Sequence, residues 1–459
     1  MSLALHNSLT GQKETFQPIH PGEVRMYVCG PTVYADLHIG NFRTIVAFDT
    51  LARYLRHLGY TVKKAQNFTD VDDKTIRRAL EEGIPLDELA QRYIDTYHRD
   101  AQRLGIADQV EPRATAYIPA IIRFIEGLIA GGHAYAALGS VYFSVPSLAD
   151  YGALSHRPAE AMLAGARVEP EPGKKDPRDF ALWKAALAGE PSWESPWGPG
   201  RPGWHIECSV MSEAILGVPF DIHGAGEDLL FPHNENELAQ TRALTGEPLA
   251  RYWLHGGMLA MGGEEMHKSL GNTFSVPAVL ERISPAALRL FLLSAHYRSP
   301  LTVDDEALEA AETAVRRIAN VLRRLRGIAA QGPGTLGGRE WEAFHAALDD
   351  DFNTAGAQGA LFDLVRRANT RADANMRAEE AAGLLTTLEA MLGVLGIDLL
   401  APGEDGGDDD IQELVDRRQE ARARRDFAEA DAIRAQLASQ GVQVEDTPQG
   451  PRWFRTARR

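Results

Sequence analysis

The chain has 459 residues, two cysteines and an excess of acidic over basic side chains that leaves a formal charge of −16. At roughly 150 residues per domain this length implies about three domains, and 44% hydrophobic with 24% charged residues is enough to build sizeable cores. A uniformly basic protein and a disulfide-stapled one are excluded; with no apolar run of about 18 residues and no secretory signal over 1–18, a reduced, cytoplasmic protein with no membrane partner is expected.

In chain order, Val24–Val28 is a short apolar strand that ends at the turn Cys29-Gly30-Pro31. Asn41 is placed as the cap of a helix in which Ile45, Phe48, Leu51, Leu55 and Leu58 recur at helical spacing and which Gly59 closes. Thr61–Phe68 follows as a second strand. Strand, turn, helix and strand make the first half of a parallel nucleotide-binding sheet. From Pro112 to about Gly200 the pattern breaks into a helix over Ile118–Leu128, a strand over Ser140–Val145 and a stretch rich in Pro, Gly and Trp over Pro191–Gly203, read as an insertion. Sheet sequence returns at Phe220–His223, followed by a helix over His233–Leu244 with Gly246 just past its end. Beyond Ser284 the chain turns helical, with long segments at Glu306–Arg326 and Glu340–Leu348 separated by the glycine-rich Gln331–Gly338, and helices continuing to about Leu395. Residues 402–410 read as an acidic, glycine-rich linker. Two helices over Ile411–Gln440 and a β-ribbon over Val442–Phe454 close the chain. Residues 411–459 hold ten basic and eight acidic side chains, a local charge of +2. No internal repeat is seen.

Three groups of residues can carry chemistry. His38-Ile39-Gly40 lies between strand and helix, where free backbone N–H groups and a partial positive charge suit a triphosphate; Gly40 admits close approach, and His38 can donate to a phosphoryl oxygen. Lys268 and its neighbours follow Gly256-Gly257 and Gly262-Gly263, as a loop that clamps a phosphoryl transition state would. Cys29 and Cys208 are distant in sequence and neither sits in a CxxC pair, which excludes a local zinc knuckle. His233 and Glu237 stand at i, i+4 and would share a helix face. Two thiolates, an imidazole and a carboxylate together would hold zinc. On these residues alone, two buried structural thiols, a surface or packed histidine and a plain loop lysine are the readings to prefer.

The motifs coincide with a family. The chain resembles the cysteinyl-tRNA synthetases, which are class I aminoacyl-tRNA synthetases. The resemblance rests on Tyr27–Tyr34, His38–Gly40, Asn67–Lys74, Gly200–Ser209, Phe231–Glu237, Lys268–Asn272, Asp349–Thr354 and Phe427–Asp431, in family order over nearly the whole length. It implies an α/β Rossmann-type catalytic domain with an inserted connective domain, then an α-helical bundle and a small C-terminal module. The expected boundaries are 1–111 and 204–283 for the two catalytic halves, 112–203 for the insertion and 284–401 for the helical stem and anticodon domain. The linker at 402–410 and a tRNA-binding module at 411–459 complete them. The implied reaction joins L-cysteine and ATP into cysteinyl-adenylate and passes the cysteinyl group to the 3′ end of tRNA-Cys.

By the same resemblance Cys29, Cys208, His233 and Glu237 hold one Zn2+, to which the substrate thiolate binds. Thr69, Trp204 and Asp228 surround the amino acid, with Asp228 toward its ammonium group. His38, Gly40, Asn41, Lys268 and Ser269 handle ATP, with His38 and Lys268 catalytic and Mg2+ accompanying the nucleotide. A monomer is expected. Zinc makes physical sense here, because a small pocket separates cysteine from serine by only about 1–3 kcal/mol, whereas a soft thiolate is a far better zinc ligand than a hydroxyl. No segment is large enough for an editing domain. Asn41 stands where the first signature usually has a second histidine, and Asn234 where a histidine is common beside His233. In the loop signature Glu265 takes the first lysine position and His267 the first serine, which removes a cation and adds an anion. Two other readings share these motifs: a cysteine ligase acting on an amino-sugar, as in mycothiol biosynthesis, and a catalytically impaired tRNA-binding paralogue. Arg417, Arg418, Arg422, Arg424 and Arg425 past the linker favour tRNA over the sugar.

Overall fold

The computed structural model describes all residues except 1, 107, 158–171, 262–273, 331, 333, 400–407, 448–449 and 456–459. It divides into two compact units, Met1–Ile397 and Asp398–Arg459.

The centre of the first unit is a four-stranded sheet in the order Ala250–Gly256, Phe220–Gly226, Glu23–Val28, Thr61–Gln66, with every pairing parallel. The chain crosses from Glu23–Val28 to Thr61–Gln66 on one side. It then starts again on the other side at Phe220–Gly226, so the sheet winds in both directions from its middle. The crevice at the C-terminal ends of the two middle strands is where such a fold binds ligands. Side chains alternate along each strand, and Tyr27, His223 and Trp253 are in register across three of them. His255, two residues further along its strand, therefore belongs to the same face, and Cys29, just past the end of Glu23–Val28, packs in one core with Tyr27 and Trp253.

Helix Ile39–His57 covers the opposite face, so close that a Cβ on Gly224 would lie 2.5 Å from the Phe48 ring. On the first face, Cys208, Met211 and Leu238 from helices Trp204–Leu216 and Glu235–Thr245 share a core with Tyr27, Cys29 and Trp253. The insertion forms an antiparallel sheet of Ala134–Ala137, Ser140–Phe143, Phe180–Ala185 and Gly200–Pro202. Its core is continuous with helix Ile118–Ala130 and with Ile206, Val210 and Ala239 of the two site-bearing helices.

Helices Asp305–Ile328, Arg339–Asp349, Thr354–Asp373 and Ala378–Leu395 form the helical part. Arg289, fully buried, joins it to the sheet layer: it donates to the carbonyls of Leu395 and Leu104 at 2.7 and 2.9 Å and pairs with Asp49.

The second unit pairs helices Asp408–Ala423 and Phe427–Ser439 with the ribbon Val442–Thr447 and Gly450–Arg455 over a small core of Ile411, Val415, Ile433, Leu437 and Val442. Its first helix already includes Asp408–Asp410, which the sequence reading gave to the linker; the rest of 402–410 lies outside the described residues. No described helix is long and apolar enough to cross a membrane.

Candidate active site

Three of the boundaries that differ from the sequence reading move a site residue. The first helix starts at Ile39, not after Asn41, so His38 is its N-cap and Asn41 sits one turn in, where its Oδ1 accepts the His38 backbone N–H at 3.2 Å. The helix expected from His233 starts at Glu235, and His233 lies in the wide turn Leu230–Asn234 before it. The strand expected over Phe220–His223 runs on to Gly226 and carries the chain to the 3-10 turn Glu227–Leu229 that holds Asp228.

The four sequence-selected ligands converge. One donor atom from each of Cys29, Cys208, His233 and Glu237 lies within 4.8 Å of every other. His233 Nε2 is 2.9 Å from Glu237 Oε1, and Cys29 Sγ is 3.6 Å from the same oxygen. Cys29 comes from the turn after a middle strand, Cys208 from helix Trp204–Leu216, His233 from the wide turn and Glu237 from the helix behind it. A tetrahedral zinc site with bonds of ~2.0–2.3 Å has edges of roughly 3.5 Å, so the cluster reaches it by small side-chain shifts.

The electrostatics call for a cation. Burial pushes the Cys29 thiol well up, and its contacts with Cys208 and the Glu237 carboxylate add to this. Cys208, whose sulfur takes the Cys29 hydrogen bond, is drawn down to about 6. Burial opposes charge on His233, but Glu237 outweighs it and holds the imidazole up to about 10. Glu237 is fully buried too, and the charges of His223 and His233 keep it well below the usual carboxylate range. Two sulfurs, an imidazole and a carboxylate buried together form a donor set that a soft divalent ion fits.

Of the residues that orient this set, the sequence singled out only Asn234, as a departure beside His233 and without a role. His223 Nε2 meets Glu237 Oε2 at 2.7 Å. Asn234 Nδ2 donates to Glu237 Oε1 at 2.8 Å and to Cys29 Sγ at 3.5 Å, while its Oδ1 meets His255 Nε2 at 3.0 Å. Asn67 Oδ1 accepts from the Gly30 N–H at 2.8 Å and lies 3.7 Å from Cys208 Sγ. Gly30 has no alternative, since a Cβ there would lie 1.6 Å from the Asn67 carbonyl oxygen. His205 Nδ1 lies 3.1 Å from His233 Nδ1, and burial, with the nearby His233 charge, pushes His205 well down. Glu207 is fully buried beside Cys208, and burial pushes its pKa well up, offset only in part by a hydrogen bond with Thr69. His205 and Glu207 flank the Trp204 and Cys208 already singled out, and that adjacency was the available signal.

Of the expected amino-acid contacts, Trp204 is 37% exposed and its ring lies 4.4 Å from that of His233, at the solvent side of the cluster. Thr69 is buried and accepts from Asn67 Nδ2 at 3.3 Å. Asp228 is exposed and near enough to His38 for its charge to oppose the downward push of burial on that imidazole. At the helix start, a Cβ on Gly40 would lie 2.9 Å from His38 Nδ1, so glycine gives the ring room to fold over the N-terminus. Lys268 and Ser269, with Glu265 and His267, lie outside the described residues. The segments on either side of 262–273 are described, and both border the helix start: Ile39 N–H donates to the Phe274 carbonyl at 3.0 Å, and Leu259 Cβ would be 3.5 Å from a Cβ on Gly40.

Comparison with known proteins identifies the family. Residues 15–313 match the class I (C) tRNA synthetase catalytic domain, 343–400 the DALR domain and 404–453 the cysteinyl-tRNA ligase anticodon binding domain. A cysteine–tRNA ligase of Alkalilimnicola ehrlichii is 52% identical over 99% of this chain and 100% of its own, and one of Halorhodospira halophila 50% identical over the same shares. Among solved structures, methionyl-tRNA synthetase of Mycobacterium tuberculosis with methionyl-adenylate superposes with a TM-score of 0.60 at 18% identity, covering 81% of this chain and 90% of that one. The LeuRS of Agrobacterium radiobacter K84 gives 0.59 at 14% identity over 83% and 85%. These distant likenesses carry the fold alone; the matched domains and the full-length relatives carry the family. The chain belongs to the cysteine–tRNA ligase family of class I aminoacyl-tRNA synthetases.

Proposed function

We propose that the chain activates L-cysteine with ATP and transfers it to tRNA-Cys, with one Zn2+ held by Cys29, Cys208, His233 and Glu237 selecting the substrate. When bound, that ion supplies a soft Lewis acid that stabilises a thiolate at neutral pH and gives a serine hydroxyl little. The observation that carries this reading is the buried four-donor cluster in the crevice of the central sheet.

The chain's own side chains do the rest. Trp204 closes the solvent side of the pocket and Thr69 lines it, while Asp228 takes the ammonium group. Holding the amino acid by sulfur and ammonium aims its carboxylate at the α-phosphate, so positioning supplies much of the rate. His38 and the positive dipole end of helix Ile39–His57 bind the triphosphate, which Mg2+ accompanies. Asn41 serves by holding His38 through its backbone, which accounts for an amide in place of the family's second histidine. Lys268 and Ser269 complete the charge stabilisation on the developing pyrophosphate. The match of 404–453 to an anticodon-binding domain favours tRNA over an amino-sugar as acceptor. We take the working form to be a monomer in the cytoplasm.

The test is metal analysis and cysteine-dependent ATP–pyrophosphate exchange on the wild type and on Cys208→Ser. The wild type is expected to carry about one zinc per chain and to exchange; Cys208→Ser is expected to lose both. Retention of both in the variant would overturn the ligand set, and a zinc-loaded wild type without exchange would overturn the activity.

A further inference from the structure

A second cluster of metal-capable nitrogens lies outside the active site, where the last turn of helix Ile39–His57 packs on helix Arg339–Asp349. His57 Nε2 and His345 Nε2 face each other at 3.1 Å, with ring centroids 5.0 Å apart. Trp341 backs both rings, at 5.3 Å from His57 and 4.5 Å from His345. Two nitrogens bound at ~2.0–2.1 Å to one tetrahedral ion stand roughly 3.3 Å apart, so this pair already has nearly that spacing.

The hydrogen bonds behind His345 fix which of its nitrogens is free. Tyr54 has one hydroxyl proton and gives it to Asp349 Oδ1 at 2.7 Å. Toward His345 Nδ1, at 3.3 Å, the same hydroxyl can only accept. His345 therefore carries its proton on Nδ1 and presents the Nε2 lone pair outward, and without metal His57 donates Nε2–H to it. A ligating histidine whose second nitrogen donates to an oxygen acceptor is the usual arrangement around transition metals, and here the Tyr54 hydroxyl takes that place. Burial lowers the pKa of both rings, which favours the neutral, ligating form.

We propose that His57 and His345 form a second divalent transition-metal site, a two-histidine clamp filled by Zn2+ with water completing its coordination. His57 belongs to the segment matched by the catalytic domain and His345 to that matched by the DALR domain, so the ion would tie those two parts together. Imidazole pairs suit zinc, copper and nickel and not magnesium or calcium.

The experiment uses the full chain with its cysteine-lined pocket already loaded with zinc. Further Zn2+, added during isothermal titration calorimetry, is expected to bind as a second equivalent and to raise the thermal midpoint. The double variant His57→Gln, His345→Gln is expected to lose the second equivalent and the thermal shift while keeping the first zinc and cysteine-dependent exchange. Tyr54→Phe keeps both imidazoles but removes the acceptor for Nδ1–H, and should weaken the second equivalent roughly 10-fold. Cu2+ bound in place of the second zinc should show two-nitrogen ligation by electron paramagnetic resonance in the wild type only. Absence of a second equivalent in the wild type, or one that survives the double substitution, would overturn the clamp. A Tyr54→Phe affinity equal to that of the wild type would overturn the orienting role of Tyr54.

Discussion

At the scale of single residues, the site depends on who holds the ligands as much as on the ligands. Asn234 is fully buried and spends its amide on three partners: the Cys29 sulfur, Glu237 Oε1 and His255 Nε2. Burial lowers His255 to about 3, so at neutral pH its ring is neutral and donates Nε2–H to the Asn234 carbonyl. That fixes the amide, which in turn aims its N–H groups at the Cys29 sulfur and the Glu237 carboxylate. Asn234→Leu is close in volume but leaves those groups unpaired. Its zinc affinity is expected to fall ~10–100-fold, with ~1–3 kcal/mol of stability lost. Competition against a chromophoric chelator and urea unfolding would measure the two effects. Wild-type zinc affinity in the folded variant would remove Asn234 from the orienting shell.

At the scale of elements, Arg289 joins helix Pro285–Leu292 to three others. Its guanidinium reaches the Leu104 carbonyl past helix Leu86–Arg103, the Leu395 carbonyl at the end of Ala378–Leu395, and Asp49 and Thr50 on Ile39–His57. Gly396 caps its helix at φ +68°, and a Cβ there would lie 2.3 Å from the guanidinium, so a side chain at 396 is excluded twice over. Asp49 is buried, which disfavours its charge, but Arg289, Lys64 and Arg53 outweigh burial and hold its carboxyl below the usual value of 3.8. A depressed carboxylate contributes stability that is present above the unfolded pKa and lost as pH falls through the folded one. Arg289→Met is therefore expected to cost ~3–5 kcal/mol at pH 7, and the gap to wild type should narrow below about pH 4. Urea unfolding across pH would check this; a gap constant from pH 7 to 3 would mean that the pair contributes nothing beyond packing. Helix Ile39–His57 and the helical run to Leu395 were legible in the sequence, because helical spacing of apolar residues sets them locally, whereas helix Leu86–Arg103 was not read there. The misplaced helix start before Glu237 has a local cause as well. Phe231 precedes a proline and is held extended at φ −138° and ψ 131°, so regular helix resumes only at Glu235. What the sequence did not show was which partners the orienting shell would meet, although Asn234 was noted beside His233. Asn67, His205, His223, Asn234 and His255 come from five separate places in the chain, and alternation announces only that such positions are buried, not what they face.

At the scale of the whole molecule, the charge is unevenly divided. The chain carries −16, yet 411–459 carries +2 with Arg417, Arg422, Arg424 and Arg425 among its basic residues. The two compact units have separate cores, the second closed by Ile411, Val415, Ile433, Leu437 and Val442. Every ligand and orienting residue of the cysteine pocket belongs to the first unit, as do His38 and the segments flanking 262–273. A chain ending at Ile397 should therefore keep zinc and cysteine-dependent ATP–pyrophosphate exchange within about two-fold of wild type, because no positioning interaction of that site is removed. It should lose charging of tRNA-Cys by on the order of 100-fold or more, since several phosphate and anticodon contacts would go with the second unit and each is worth on the order of 1 kcal/mol. An acidic protein meeting a polyanion must do so through a restricted basic face, where each phosphate neutralised releases counterions. Full-length affinity for tRNA-Cys should accordingly fall steeply between 50 and 200 mM salt, and the truncated chain should show a shallower slope on the logarithmic plot. Equal slopes would mean that the terminal unit contributes no phosphate contacts. A flat dependence in both would mean that tRNA is held by base stacking and shape instead.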